Sequence, residues 1–218
     1  MLNRPVTVTS SRPSMARKTK EEAQATRGRI LDAAERLFQA RGVSRTSLHD
    51  IAVTAGVTRG AVYWHFTDKG DLFNAMLERV FLPMEQRKFA LAKAGPGEVL
   101  PAVRALLLDI LALLVRDGQA RRVAEIVTQR MEFVAEMDKV RERRLLVRRE
   151  FQRQLEIALR HGQQSGEVVA APSARQLALG LHALLDGLIH NWLFDPSHDL
   201  KRVGAHAVDV HLAGLSNR

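Results

Sequence analysis

The stretch SLHDIAVTAGVTRGAVYWHF, from Ser47 to Phe66, leaves its backbone few choices. Ser47 with Asp50 three residues on has the spacing of a capping box, in which each side chain accepts a backbone N–H of the other residue. Gly56 supplies the residue that closes a helix in the left-handed conformation, and Thr58 offers a new helix start two positions later. The spacing therefore predicts a short helix, a tight turn and a second short helix. Ile51, Ala52, Val62 and Phe66 can then share one interior.

The remainder reads as helix throughout. From Lys20 to Arg41 the apolar positions Ala23, Ile30, Ala33, Ala34, Leu37 and Phe38 keep a helical period that stops at Gly42. A further helix is expected from Thr67 or Asp68, with a kink at Pro83, whose ring and missing N–H disturb the ladder. KAGPGE reads as a linker. Helices are then expected over 98–116, ended by Gly118, over about 120–133 and over about 136–161. Another starts at Ser173, capped with Gln176 and running to Phe194, and a last one spans about 198–215. No alternating β-pattern or internal repeat interrupts them. The fold class expected is all-α: a three-helix N-terminal domain over 15–70 and a larger helical domain over 71–218. Residues 1–14, rich in Ser, Thr and Pro, are expected to form a disordered tail.

The formal net charge of +9 and pI near 10.7 favour a polyanionic partner, and the basic excess is denser in the N-terminal third. Absence of cysteine excludes a disulfide framework and a thiol nucleophile, and fits a reducing compartment. The polar start has no signal-peptide core, and no run of about 18 apolar residues follows, so no membrane role and a cytoplasmic location are expected. No phosphate-cradling glycine loop, zinc-binding H-E-x-x-H helix or catalytic serine context occurs. Neither catalysis nor a cofactor nor a metal site is expected.

Two helices joined by a tight glycine turn form a helix-turn-helix, whose second helix enters the major groove of double-stranded DNA. On a helix starting at Thr58, the residues Arg59, Gly60, Tyr63 and Trp64 share a face directed away from the interior. Arg59 can pair with a guanine, and Gly60 and Ala61 are small enough to let the backbone approach base edges. The hydroxyl of Tyr63 and the ring N–H groups of Trp64 and His65 can donate to phosphates. Thr58, Thr46 and Ser47 lie at helix starts where phosphates bind, and Lys69 adds a charge beyond the reading helix.

RILDAAERLFQARGVSRTSLHDIAVTAGVTRGAVYWHFTDKGDLF resembles the DNA-binding domain of the tetracycline-repressor (TetR) family over some 45 residues without a gap. MARKTKEEAQATR, YWHFTDK, RRVAEIVTQRMEF and LLDGLIHNWLFDP are similar to its acridine-resistance regulator (AcrR) branch, whose members repress multidrug efflux operons. Thr46, Ser47, Thr58, Arg59, Gly60, Ala61, Tyr63, Trp64, His65 and Lys69 fall on the family's DNA-contact positions. The tail before Met15 departs from the pattern.

His182, Asp186 and His190 recur at i, i+4 and i+8 on an otherwise apolar helix. Three roles compete: a metal site, for which no partner segment is evident, an interior hydrogen-bond network, or polar recognition inside an apolar ligand cavity. The family likeness favours the last for Asp186, as an interior carboxylate. It also implies that the last two helices pair with their copies into a four-helix homodimer interface, with Gly180 and Gly187 permitting close approach. The remaining helices would wall a cavity for a small, largely apolar effector, at Leu106, Leu107, Ile110, Thr128, Met131, Phe151, Leu155, His182, Leu185, Asp186 and Ile189. The basic run RERRLLVRRE reads most simply as a solvated helix face, with a second anion or DNA patch as the alternative. The expectation is a ligand-responsive repressor on a palindromic operator. Its rivals are a constitutive architectural DNA binder, a regulator of a metabolic operon and a ligand carrier.

Overall fold

A computed structural model describes residues 15–130 and 138–217, so the expected tail over 1–14 and the nominated Met131 lie outside the described residues. Among those described, the chain forms nine helices and no strand beyond a single bridge between Val168 and Ser216. In order they are α1 (Met15–Arg41), α2 (Leu48–Ala55), α3 (Arg59–His65), α4 (Lys69–Ala92), α5 (Val99–Arg116), α6 (Gly118–Gln129), α7 (Asp138–Gln164), α8 (Ala174–Phe194) and α9 (Leu200–Ala213).

The local signals form as their chemistry dictates. Ser47 Oγ accepts the Asp50 N–H and Asp50 accepts the Ser47 N–H, completing the expected capping box. Gly56 closes α2 at φ 64°, a left-handed conformation that a side chain would strain. Ser173 and Gln176 form a second capping box at α8. One boundary differs from the expectation. Gly118 does not end α5 but opens α6, because the Asp117 carboxylate accepts the N–H groups of Gln119 and Ala120 and starts a new helix there.

Helices α1, α2 and α3 form a head around Phe38, Ile51, Val62 and Phe66, with the Phe38 ring 5.9 Å from that of Phe73 at the start of α4. Val62 and Phe66 join Ile51 and Ala52 inside, as their spacing predicts. α4 then runs on through Pro83 as one helix into the body formed by α5–α9, so it belongs to both parts. At 1.5 Å per residue it is about 36 Å long.

Within the body α7 packs on α8, and α5 packs on α9. Gly204 of α9 is buried against Leu111 of α5, which leaves no room for a Cβ. Gly180 and Gly187 make no such approach within the chain. By length and composition alone α8 could cross a membrane, yet it carries His182, Asp186, His190 and Asn191 and buries one face in the body. Its outward stripe comprises Leu179, Ala183, Gly187, His190 and Phe194, and Val203 and Val210 continue the exposed apolar surface on α9.

Candidate nucleic-acid interface

The second helix of the turn presents its outer face to solvent. Trp64 is 73% exposed and Tyr63 47%, values out of keeping with a packing role for such large side chains. The Arg59 guanidinium lies 5.4 Å from the centre of the Tyr63 ring and donates to the Tyr63 hydroxyl at 3.3 Å. These side chains hold each other along one helix face before any partner arrives. Gly60 is exposed, and a Cβ placed on it would meet nothing closer than the Thr58 hydroxyl at 3.9 Å, so backbone there is open to approach. Ala61 is half-buried beside it.

Thr58 Oγ1 accepts the Ala61 N–H at 3.2 Å, which caps α3 and leaves the hydroxyl proton able to turn outward. The Ser47 hydroxyl donates to Asp50 Oδ2 at 2.5 Å while accepting from the Asp50 N–H; these bonds hold the exposed Asp50 carboxyl below its ordinary pKa. His65 is half-buried, its ring 4.5 Å edge-on to Trp64. Burial, and then the charge of Arg27, push its pKa down, so near neutrality it offers one ring N–H rather than two. Arg27 itself stacks 5.2 Å over Phe66, tying α1 beneath the end of α3.

Two residues expected at phosphates are engaged within the chain instead. Thr46 is buried and its hydroxyl donates to the Gly42 carbonyl at 2.8 Å, so its side chain faces inward. Lys69 is also buried, and its ammonium donates to the carbonyls of Thr46 at 3.1 Å and Ser44 at 3.4 Å. It supports the loop before α2 from beneath. That loop and α3 bound a cleft of about 410 Å³ with Arg45 and His49 on one wall and Arg59 and Tyr63 on the other. Arg45 and His49 are exposed and were missed from the sequence. The signal was available: they lie two positions either side of Ser47, the residue that caps α2.

The residues nominated for a ligand cavity divide. Leu106 and Leu107 of α5, Leu155 of α7 and Leu185 of α8 are buried, while Ile110, Phe151 and Ile189 are half-buried against the same core. Thr128 instead faces outward at the end of α6, its hydroxyl donating to the Ala124 carbonyl. His182 is 8% exposed, with Nδ1 2.8 Å from Gln152 Nε2 and its ring 5.5 Å from Phe151. Burial lowers its pKa; the charge of Asp186 opposes that shift and Arg148 adds to it. Asp186 is not the interior carboxylate expected. It is 53% exposed, 3.7 Å from Arg148 and 3.6 Å from His182 Nε2, because its helix position falls on the border between the packed face and the outer stripe. His190 is exposed, and no group of three metal-binding side chains occurs among the described residues.

A capped helix pair presenting Arg59, Tyr63 and Trp64 on a basic chain defines a helix-turn-helix DNA-binding protein. Residues 30–76 match the bacterial regulatory proteins of the tetR family, and residues 98–216 the C-terminal region of MAATS-type transcriptional repressors. The HTH-type transcriptional regulator AcrR of Shigella flexneri is 41% identical over 199 residues, covering 91% of this chain and 93% of its own. The crystal structure of NalD, the secondary repressor of the MexAB-OprM multidrug efflux pump in Pseudomonas aeruginosa, superimposes with a TM-score of 0.82 at 37% identity, over 90% of this chain and 98% of that one. The complex of SmeT, a repressor of a Stenotrophomonas maltophilia multidrug efflux pump, with triclosan gives 0.79 at 35% identity, over 88% and 92%. The chain belongs to the TetR family of transcriptional regulators.

Proposed function

We infer that the protein is a cytoplasmic repressor that binds a palindromic operator as a homodimer and releases it when a small, largely apolar compound enters the body, controlling a multidrug efflux operon. The observation that carries the reading is the outward face of α3, where Arg59, Tyr63 and Trp64 are exposed and mutually held over a capped helix start. Thr58, Ser47, Gly60, Ala61 and His65 complete the contact surface, and Arg45 and His49 extend it. The exposed apolar stripe on α8 and α9 supports pairing with a second copy, because such surface is costly to leave in water. The operon and the effector class are supported by what the similar NalD and SmeT structures are described as doing. The effector site proposed lies among α5, α7 and α8, where the leucines supply apolar walls and His182 with Gln152 a polar group. Release follows from linkage: a compound preferring an arrangement that mismatches successive major grooves weakens DNA binding by the same coupling free energy with which DNA opposes the compound.

The test is selection from random double-stranded DNA with purified protein, then titration of the selected site with a panel of apolar aromatic compounds. A two-fold symmetric consensus and saturable release by some of the panel are expected. A non-symmetric or absent consensus overturns the repressor reading. A consensus with no release by any compound favours the constitutive binder.

A further inference from the structure

The head is joined to the body covalently only by α4, a single helix, and one helix leaves rotation about its far end poorly constrained. A second attachment lies along α1. Glu35 and Gln39, four residues apart on α1, and Val43 just beyond its end all bond to α6 or its C-terminal cap. Glu35 is 3% exposed, yet its carboxylate is fully engaged: Oε1 accepts Arg122 Nε at 2.6 Å, and Oε2 accepts Arg79 Nη2 at 2.9 Å and Gln119 Nε2 at 3.0 Å. Arg79 also donates to Asp32 at 2.7 Å, and it holds this position although its Nε is buried with no acceptor among the described residues. One turn on, Gln39 donates to Glu125 at 3.0 Å, and beyond the helix end the Val43 N–H donates to the Arg130 carbonyl at 3.2 Å. Three helices thus converge on one buried carboxylate, with α1 from the head, α6 from the body and α4 between them. On its other side α6 reaches α8, where the Arg121 guanidinium stacks 4.5 Å over the Trp192 ring.

We propose that the Glu35 clamp and the polar seam of α1 on α6 set the angle of the head on the body, and through it the half-site spacing that the protein accepts in its operator. The inference rests on the dimeric operator reading above. Two reading heads must meet the major groove one helical turn apart, about 34 Å for roughly 10 base pairs, or a multiple of it. A swing of about 5° at the end of a 36 Å lever displaces a head by about 3 Å, one base-pair step. Small freedom at the seam is therefore large freedom in spacing. A charged carboxylate shared between two guanidiniums resists such movement better than apolar contact does, because its hydrogen bonds are directional. Arg122 and Gln39 touch neither the DNA face nor the core of the head, so they are positioning residues whose effect on DNA passes through geometry.

The experiment uses the full chain and the palindrome that the wild type selects, together with versions whose half-sites are moved apart or together by one base pair. Wild type is expected to lose about tenfold or more in affinity for each displaced version, as for a wrong base pair in a site. Arg122→Gln, and separately Gln39→Ala, are expected to bind the parent site within about fivefold of wild type while cutting the spacing penalty to threefold or less. The readout is a ratio within one variant, so loss of folded protein, which lowers all affinities alike, does not move it. Unchanged ratios in both variants, with or without a fall in melting temperature, overturn the clamp and leave the seam as scaffold. If wild type itself selects no palindrome, the dimeric reading fails first, and that outcome is seen before any variant is made.

Discussion

The head and the body use the same material, amphipathic helices, yet they place their candidate site residues by opposite means. In the head, local capping does the placing: Ser47, Asp50, Gly56 and Thr58 fix α2 and α3, and whatever is not buried under them is presented to solvent. In the body, the surroundings do it. His182 is enclosed by Gln152 and Phe151 of α7, while Asp186, one turn further along α8, is outside. Function in the head can be read from short spacings, whereas function in the body depends on which helix lies alongside.

The sharpest way to break this contrast is to unfold one part and watch the other. Phe38→Ala empties a fully buried ring site against Phe73, and a loss of about 3–5 kcal/mol is expected for such a truncation. Denaturant unfolding should show a first loss of helix content by circular dichroism while the fluorescence of the buried Trp192 is still native. DNA binding should vanish while self-association persists. Simultaneous loss of both would mean that head and body form one cooperative unit.

Val210→Glu tests the body in the same way. A charge forced into an interface that covers the α8 and α9 stripe should weaken self-association at least about 100-fold, on the order of 3 kcal/mol, measured by sedimentation equilibrium. Because Val210 is 61% exposed in the single chain, the monomer should keep its helix content. An undisturbed dimer would move the interface elsewhere.

Within the head, Arg59 and Lys69 separate contact from support. Arg59→Ala should cost about 1–3 kcal/mol and relax preference at one symmetric base pair. Lys69→Met should weaken all sequences alike and lower the melting temperature without changing the salt dependence of binding, since its ammonium is spent on the Thr46 and Ser44 carbonyls. Titrations on variant sites at several salt concentrations read both effects. A reduced salt slope for Lys69→Met would restore it to the phosphate contacts.

The smallest expected effects are those of pH. His182 and His65 both have pKa values below the ordinary 6.5 for reasons of burial, so the unfolded chain takes up protons first as pH falls. Their contribution is fully present above pH 6.5 and is lost as pH drops through the lower folded values. His182→Gln and His65→Gln should each flatten part of that decline in melting temperature. Asp186→Asn removes a charge that favours protonated His182, so it should steepen the decline. At neutral pH it should change stability by less than about 1 kcal/mol, as for an exposed pair.

These residues also mark how far the sequence could be read. The helices, both capping boxes, the left-handed Gly56 and the outward Arg59, Tyr63 and Trp64 were legible because each signal lies within a few residues of its partner. The inward turn of Thr46, whose acceptor Gly42 is only four residues back, was not, since it depends on the left-handed turn of the backbone at Gly42. Nor was that of Lys69, which finds its acceptors 23 and 25 residues away. Glu35 gave no warning of its role for the same reason, with its arginine partners 44 and 87 residues distant. Asp186 was misread because a helical period gives a face but not the neighbour that covers it.

Hydrogen exchange of the full chain, with and without the selected operator, tests the division between head and body most directly. The account predicts slowed exchange over residues 44–50 and 58–66 when DNA is present, and none beyond the free protein's over α7 or the outer face of α8. Protection centred instead on the basic stretch 143–149 of α7, with the α3 amides unchanged, would contradict it.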